Sequence, residues 1–210
     1  MCTRFYMEMS PELRPYVEQA KASSLENRMV AKLGKPMKTE SEIRPADMVP
    51  VIASNRKGER SVFPMVWGYN IPKVNHPVMN ARVESAPIKD CWKDGWLNRR
   101  CIIPASWYYE WEHFTTGDGR KRVGAKYLIQ ANGSAILFLA GLYRWEEYRD
   151  LKYPVFSVLT REPTEELSKL HDRMPLMLPE SRIDEWIKPE TNAEEMLKYA
   201  QTEVIVEKTR

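Results

Sequence analysis

The sequence predicts one α+β domain over residues 1–210, built around a largely antiparallel β-sheet with flanking helices. Strand-like runs joined by turn-forming residues occupy the middle of the chain, and helical periodicities occur towards both ends. Apolar residues make up 43% and charged residues 29% of the chain, which is the balance of a globular protein rather than a disordered one. A chain of 210 residues without repeats or linkers can form one independent core.

The N-terminal segments predict an extended start followed by two helices. Residues 1–9 are strand-like, and Ser10 with Pro11 is a typical helix start. A second short helix follows to about Leu33, and residues 34–45 contain the Pro, Gly and charges of a loop. The first helix has one apolar face, formed by Leu13, Tyr16, Val17 and Ala20.

The remaining elements are a series of strands, followed by three short helices and a final strand. Strands are predicted at residues 47–54, 61–67, 100–111, 126–131, 135–143, 153–160 and 204–206. Helices are predicted at residues 164–171, 180–187 and 193–200. Asn132-Gly133 is typical of a hairpin turn between the strands on either side of it.

Composition limits the classes of function. The net charge of +3 permits a polyanionic partner without requiring one. Three cysteines without a CxxC pair argue against a disulfide scaffold, and no histidine pair has metal-ligand spacing. We therefore expect no metal and no cofactor. No signal peptide or apolar run of about 20 residues is visible, so we expect a cytoplasmic monomer without membrane contact.

Cys2 is the most informative position, because initiator Met is usually removed before a small residue. Removal would leave an α-amine and a thiol on one residue. A 1,2-aminothiol condenses with an aldehyde to an imine, and the thiol then closes a thiazolidine ring. The alternative is that the residue type at position 2 is incidental.

Glu110 and His171 are candidate acid–base groups. Strand alternation puts Tyr108 and Glu110 on one face, so the carboxyl lies among aromatic side chains unless the strand is an edge strand facing water. His171 follows Leu167 and Leu170 at helical spacing, and a helix C-terminus would favour its protonated form. A histidine buried in the core for packing is the alternative for His171.

Asn80 and two arginines form a further candidate group. Asn80 is either a helix cap or a ligand for a phosphate or an N-terminal amine, with Arg82 beside it. Arg4 is two residues from Cys2, so an extended strand points both side chains to one face.

Several short motifs occur in a fixed order along the chain. They are Met1-Cys2-Thr3-Arg4, Trp67-Gly68-Tyr69, Asn80-Ala81-Arg82-Val83-Glu84-Ser85, Arg100-Cys101-Ile102-Ile103-Pro104-Ala105, Tyr109-Glu110-Trp111, Ala140-Gly141-Leu142-Tyr143 and His171-Asp172-Arg173-Met174-Pro175. Together these motifs resemble the SOS response-associated peptidase (SRAP) family over about residues 1–187. The resemblance implies a barrel-like sheet with a single site. It also implies loss of Met1, followed by bonding of the N-terminal cysteine to the aldehyde of an abasic site, mainly in single-stranded DNA.

By position, the resemblance implies a catalytic set and a DNA-contacting set of residues. The catalytic set is Cys2, Asn80, Glu110 and His171, and the DNA-contacting arginines are Arg4, Arg82 and Arg173. Trp67, Trp107 and Thr160 are further predicted DNA contacts, with core packing as the favoured alternative for Trp67. Thr3 and Trp107 replace glycines that the family usually has; Trp107 would either narrow the site or add a stacking surface.

Two other functions use the same residues. An N-terminal-nucleophile amidohydrolase or cysteine peptidase would use Cys2, His171 and Asn80 as nucleophile, base and orienting group. A non-catalytic module that binds single strands would not need Cys2. The resemblance favours covalent capture of abasic sites, in the cytoplasm and at the nucleoid when bound to DNA. It also implies peptidase-like self-processing and possible lyase-type chemistry.

Overall fold

The computed structural model describes residues 2–209. The predicted removal of Met1 therefore concerns a residue outside the described range. The strands are β1 (Arg4–Met7), β2 (Ser41–Ile43), β3 (Met48–Ser54), β4 (Arg60–Trp67), β5 (Asn80–Arg82), β6 (Arg100–Ala105), β7 (Trp107–Thr115), β8 (Lys121–Ala131), β9 (Leu137–Tyr148), β10 (Leu151–Arg161), β11 (Met174–Pro175) and β12 (Val204–Lys208). The α-helices are α1 (Arg14–Lys21), α2 (Ser24–Leu33), α3 (Asp90–Asn98), α4 (Glu165–Ser168), α5 (Ile183–Trp186) and α6 (Ala193–Met196).

Five strands close into a barrel. β10 pairs with β4, β4 with β3, β3 with β6, β6 with β9, and β9 returns to β10. The strands come very close at Gly141, where an added Cβ would lie 2.8 Å from the Ser157 carbonyl oxygen. Closure leaves these five strands without an open edge between them and buries the apolar residues of β3, β6 and β10.

A second sheet supports the N-terminus beside this barrel. Its order is β12-β8-β7-β1-β2, and all four pairings are antiparallel. β1 lies between β2 and β7, with Arg4 opposite Tyr109. The α+β fold with a barrel and a largely antiparallel sheet is confirmed. Among residues 2–209, the parallel pairs join β10 to β4 and β5.

The first two helices lie close to the positions that the sequence predicts for them. The Ser10 hydroxyl accepts a hydrogen bond from the Leu13 backbone at 3.2 Å, but the helix itself begins only at Arg14, after a turn. Ser23 caps α2, which ends at Gly34 with φ of +72°. Among residues 2–209, no helix is long and apolar enough to span a membrane.

Two local predictions and one alternative were wrong, and one helix was missed. Asn132-Gly133 forms a turn, but β8 pairs with β7 and β12 whereas β9 pairs with β6 and β10, so these two strands form no hairpin. The predicted loop at residues 34–45 contains β2. The helix α3 was missed, and Asn80 caps no helix because it lies in β5, opposite Val158 of β10.

Candidate functional site

Cys2 lies fully buried at the point where the second sheet meets the barrel. Its Sγ is 3.7 Å from the carbonyl oxygen of Arg4, the first residue of β1. Burial raises the pKa of the Cys2 thiol far above its ordinary value, and the nearby negative charge of Glu110 raises it further. The thiol is therefore protonated at neutral pH in this state.

Asn80 connects the N-terminal residue to the barrel. The short strand β5 pairs in parallel with β10, which fixes the backbone of Asn80 opposite Val158. The Asn80 side-chain Nδ2 donates a hydrogen bond of 2.9 Å to the Cys2 carbonyl oxygen. Its Oδ1 is buried and has no hydrogen-bond partner among residues 2–209. The ligand alternative, rather than the helix cap, agrees with this geometry.

Glu110 is a buried carboxyl in the middle of β7, with 4% of its surface exposed. The predicted alternation is confirmed: Tyr108 and Glu110 share the buried face of β7, and Tyr109 and Trp111 are half-buried on the other face. One carboxyl oxygen of Glu110 accepts a hydrogen bond of 3.3 Å from the Trp111 backbone. The edge-strand alternative for Glu110 is wrong, because β7 pairs with both β1 and β8.

His171 follows α4 and faces the same site. Its Nδ1 is 3.0 Å from the backbone nitrogen of Arg173 and 2.7 Å from the Asp172 carboxylate. Burial lowers the pKa of His171 below its ordinary value, although the negative charges of Glu110 and Asp172 oppose that shift. The expectation that a helix end favours the protonated imidazole is therefore wrong, because burial outweighs the charges of Glu110 and Asp172. A neutral imidazole is available to accept a proton.

His113 is a neighbour that sequence reasoning missed. Its ring meets that of His171 edge to face at 4.9 Å between centroids, and its backbone nitrogen donates to the Leu170 carbonyl at 3.1 Å. One ligand atom from each of Glu110, His113 and His171 lies within 4.8 Å of the others. Because the fold joins residues that are far apart in the chain, the spacing of residues in the sequence does not predict this cluster.

A pocket of about 510 Å³ opens beside these groups. Arg82, His113, His171 and Asp172 contribute to its lining. Arg82 is exposed on the last residue of β5, which leaves its guanidinium accessible to an anion at this pocket.

The other two predicted phosphate-binding arginines have partners inside the protein. Arg173 is only 8% exposed, and both terminal nitrogens contact the Glu84 carboxylate at 3.0 and 2.9 Å. Arg4 pairs with Glu42 at 2.5 Å, and a phosphate at Arg4 would have to compete with that carboxylate. The prediction that Arg173 contacts phosphate disagrees with this burial. Its guanidinium instead joins the turn after β5 to β10, through Glu84 and the Thr160 carbonyl.

Two predicted DNA contacts belong to the core. Trp67 is fully buried, stacks parallel to Phe156 at 6.1 Å between centroids, and donates its indole N–H to the Met79 carbonyl at 3.0 Å. Thr160 is fully buried as well, with its hydroxyl 3.4 Å from the Ala81 carbonyl. Both side chains are buried in this structure, which disfavours the two predicted contacts with DNA.

Trp107 remains at the surface of the second sheet. It is half-buried and stacks on Tyr6 at 4.5 Å between centroids, with planes 3° apart. Tyr6 covers one face of this indole, so any base would have to use the opposite face.

The comparison with known families now adds to this geometry. Residues 1–208 match the family model described as SOS response associated peptidase (SRAP). The chain belongs to the SRAP family. The resemblance seen in the sequence motifs is thereby confirmed over nearly the whole chain.

Curated relatives of this SRAP chain carry a common description. The abasic site processing protein YoaM of Bacillus subtilis is 30% identical over 153 residues, which are 69% of this chain and 62% of YoaM. YedK of Escherichia coli is 28% identical over 151 residues, covering 71% of this chain and 65% of YedK. HMCES of Rattus norvegicus is 25% identical over 174 residues, which cover 67% of this chain and 49% of HMCES. The matches span less than two thirds of the length of these relatives.

Solved structures support the fold of this SRAP chain. A protein from Bacteroides thetaiotaomicron superposes with a TM-score of 0.75 at 18% identity, covering 100% of this chain and 92% of that one. A phage-related protein from Bordetella bronchiseptica gives a TM-score of 0.70 at 23% identity, covering 100% of this chain and 94% of that one.

Proposed function

We propose that this chain captures abasic sites in single-stranded DNA by a thiazolidine bond to Cys2 after removal of Met1. The observation that carries the proposal is the hydrogen bond of 2.9 Å from Asn80 to the Cys2 carbonyl, which anchors the N-terminal residue beside Glu110 and His171. The names of the relatives YoaM, YedK and HMCES, each an abasic site processing protein, support the same substrate class.

The reaction begins with the Cys2 amine. A free α-amine has a pKa of about 7.7–8.0, so part of it is neutral and nucleophilic near pH 7. It adds to the C1′ aldehyde of the opened deoxyribose, and loss of water gives an imine. The Cys2 sulfur then adds to the imine carbon while its proton passes to nitrogen, which closes the five-membered ring. The buried Asn80 Oδ1 is an acceptor of the right kind for the amine.

Glu110 and His171 carry out different proton transfers in this reaction. Glu110 donates the proton that opens the sugar ring, and the carboxylate then accepts a proton from the attacking amine. The neutral His171 takes protons during dehydration of the carbinolamine and returns them during reversal. This division is supported by the lowered pKa of His171, which leaves a basic nitrogen at neutral pH.

The protonated thiol favours this order over a cysteine peptidase. A peptidase cysteine attacks as a thiolate, which requires a lowered pKa. Burial and Glu110 instead raise the pKa of the Cys2 thiol. The amine is therefore the better first nucleophile. We further propose peptidase-like self-processing that removes Met1, and lyase-type chemistry where the imine is not closed by sulfur.

DNA is held mainly through its phosphates in this proposal. Arg82 is the best-exposed arginine beside the pocket, and Arg4 contributes where a phosphate displaces Glu42. Phosphate contacts give affinity without base readout, which suits a lesion that has no base. Trp107 offers one free indole face for a flanking base. The chain acts without cofactor as a monomer in the cytoplasm, at the nucleoid when bound to DNA.

A uracil-excised single-stranded oligonucleotide tests the proposal. Incubation followed by denaturing electrophoresis should give a heat-resistant protein–DNA band from protein whose intact mass shows that Met1 is absent. A variant with one extra residue between Met1 and Cys2 that survives processing is the control, because its Cys2 nitrogen stays in an amide. An equally strong band from that variant would overturn the aminothiol mechanism. Turnover of a peptide without any band would favour the peptidase, and salt-sensitive binding alone would favour the non-catalytic module.

A further inference from the structure

A second cavity opens towards the other end of β10 from the candidate site. Its volume is about 920 Å³, compared with about 510 Å³ for the pocket beside His171. We call it the basic groove, and its lining includes Arg28, Arg56, Lys57, Tyr143, Trp145 and Lys152. These residues come from α2, from the turn between β3 and β4, and from β9 and β10. We propose that the basic groove binds the flank of the same single DNA strand whose abasic site reacts at Cys2.

The cations of the basic groove have no carboxylate partners. The exposed ones are Arg28, Arg56, Lys57 and Lys152. None of these four side chains forms an ion pair or a hydrogen bond within the part of the chain that the structure describes. Glu59 is the acidic residue among the described lining residues, and its carboxylate accepts a hydrogen bond of 3.1 Å from Asn55. The lining therefore carries an excess of three positive charges, which complements a polyanion.

Cations on the same elements but outside the basic groove are neutralised. Lys32, towards the end of α2, pairs with Asp150 at 2.7 Å. Arg60, at the start of β4, pairs with Asp184 at 2.7 Å. Partners are thus present for neighbouring cations, whereas the four cations of the groove converge on one cavity without any. This contrast favours an anionic ligand over a face that is merely solvated.

Aromatic side chains lie among these cations. Trp145 is 44% exposed, and Tyr143 and Phe63 are half-buried in the same lining. Tyr143 and Trp145 are two residues apart on β9, so their rings leave the strand on one face. Grooves that bind single strands combine such rings, which stack on bases, with cations that contact phosphates. An acidic peptide would need only the cations, and a duplex offers no unpaired bases to the rings.

Strand β10 connects the two sites. Asn80, which bonds to the Cys2 carbonyl, lies opposite Val158, and Lys152 is six residues earlier on β10. At about 3.3 Å per residue, these positions are about 20 Å apart. Successive phosphates are about 3.4 Å apart along a stacked strand, so a flank of about six nucleotides or more spans the distance. The inference rests on the proposed function, because the reacting strand supplies this flank.

A labelled oligothymidine of about 30 nucleotides tests the basic groove by fluorescence anisotropy, without the reaction. The double variant Arg56→Ala/Lys57→Ala should lower the slope of log affinity against log salt by about 1.4, or about 0.7 for each phosphate contact. Trp145→Ala should weaken binding by about 5- to 150-fold, the range for one lost stacked base, and Trp145→Phe should restore most of that loss. Circular dichroism verifies that each variant is folded.

The double variant Lys93→Ala/Lys188→Ala is the matched control. Both lysines are exposed and lie outside the lining of the groove, and the variant loses the same two charges. Adduct formation then tests the reach of the strand. On an abasic oligonucleotide of about 30 nucleotides, the groove double variant should slow the reaction about as much as it weakens oligothymidine binding. On one of about five nucleotides with a central lesion, it should react at the parental rate, because that flank is too short.

The outcomes separate the groove from the reaction. Oligothymidine binding that changes no more in the groove variants than in the lysine control would overturn the inference, and so would equal slowing on the short and long abasic strands. Poly-glutamate that binds more tightly than oligothymidine at the same salt concentration would assign the groove to an acidic protein segment. A duplex that depends equally on Trp145 would exclude single-strand binding. Groove-dependent binding of oligothymidine without a crosslink on either abasic strand would instead count against the proposed function and leave the groove to stand.

Discussion

Asn80→Ala tests whether the anchoring hydrogen bond positions the reactive residue. The variant removes the donor from the fully buried Cys2 carbonyl but keeps the backbone pairing of β5 with β10. Leaving a buried acceptor unpaired costs about 1–3 kcal/mol. If this free energy destabilises the state in which Cys2 is positioned for reaction, adduct formation slows by about 5- to 150-fold.

The assay is the initial rate of the heat-resistant band on an abasic oligonucleotide, with intact mass confirming loss of Met1. Asn98→Ala is the matched control, because it removes an exposed amide hydrogen bond of 3.0 Å to Asp94 at the end of α3. A normal rate for Asn80→Ala, equal to that of Asn98→Ala, would refute the positioning role. A loss of thermal stability that parallels the loss of rate would show that the bond serves folding instead.

Four further variants test the remaining assignments. Cys2→Ala should form an imine band only with borohydride, accompanied by strand cleavage; a stable band without reductant would show that sulfur is unnecessary. Glu110→Gln should slow adduct formation by about 10²–10⁴-fold, measured against Glu112→Gln as control, and equal rates would exclude Glu110. Arg82→Ala should reduce the slope of log affinity against log salt on undamaged strands by about one, and an unchanged slope means no phosphate contact. Trp67→Ala should cost about 3–5 kcal/mol in urea unfolding, and full stability would contradict its place in the core.

The sequence predicted those features of the fold that depend on residues close together in the chain. Alternation along β7 placed Tyr108 and Glu110 on the buried face, because side-chain direction in a strand depends on position alone. The helix α3 was missed because Gly95 has low helix propensity, yet its bare backbone allows the helix to approach Leu142 of β9. That benefit comes from packing and has no local signature.

The features that the sequence did not predict depend on contacts between segments far apart in the chain. Asn132-Gly133 forms its turn, but the strands on either side enter different sheets, which no turn signal specifies. His113 and His171 meet only after β7 and the loop following α4 are joined. Arg173 was predicted to contact DNA from its position in the family motif, whereas the structure pairs it with Glu84, 89 residues away in the chain.

The burial of Cys2 separates the two covalent functions on physical grounds. A peptidase thiol attacks a separate substrate and needs a lowered pKa to do so, whereas burial raises the pKa of this thiol. In thiazolidine formation the sulfur attacks an imine already bonded to its own residue. Such intramolecular steps reach effective concentrations of about 10⁵–10⁸ M, which compensates for a small thiolate fraction. The same burial limits the access of water to the imine, and hydrolysis is the reaction that competes with ring closure. An environment unfavourable for a peptidase cysteine is therefore favourable for a covalent trap.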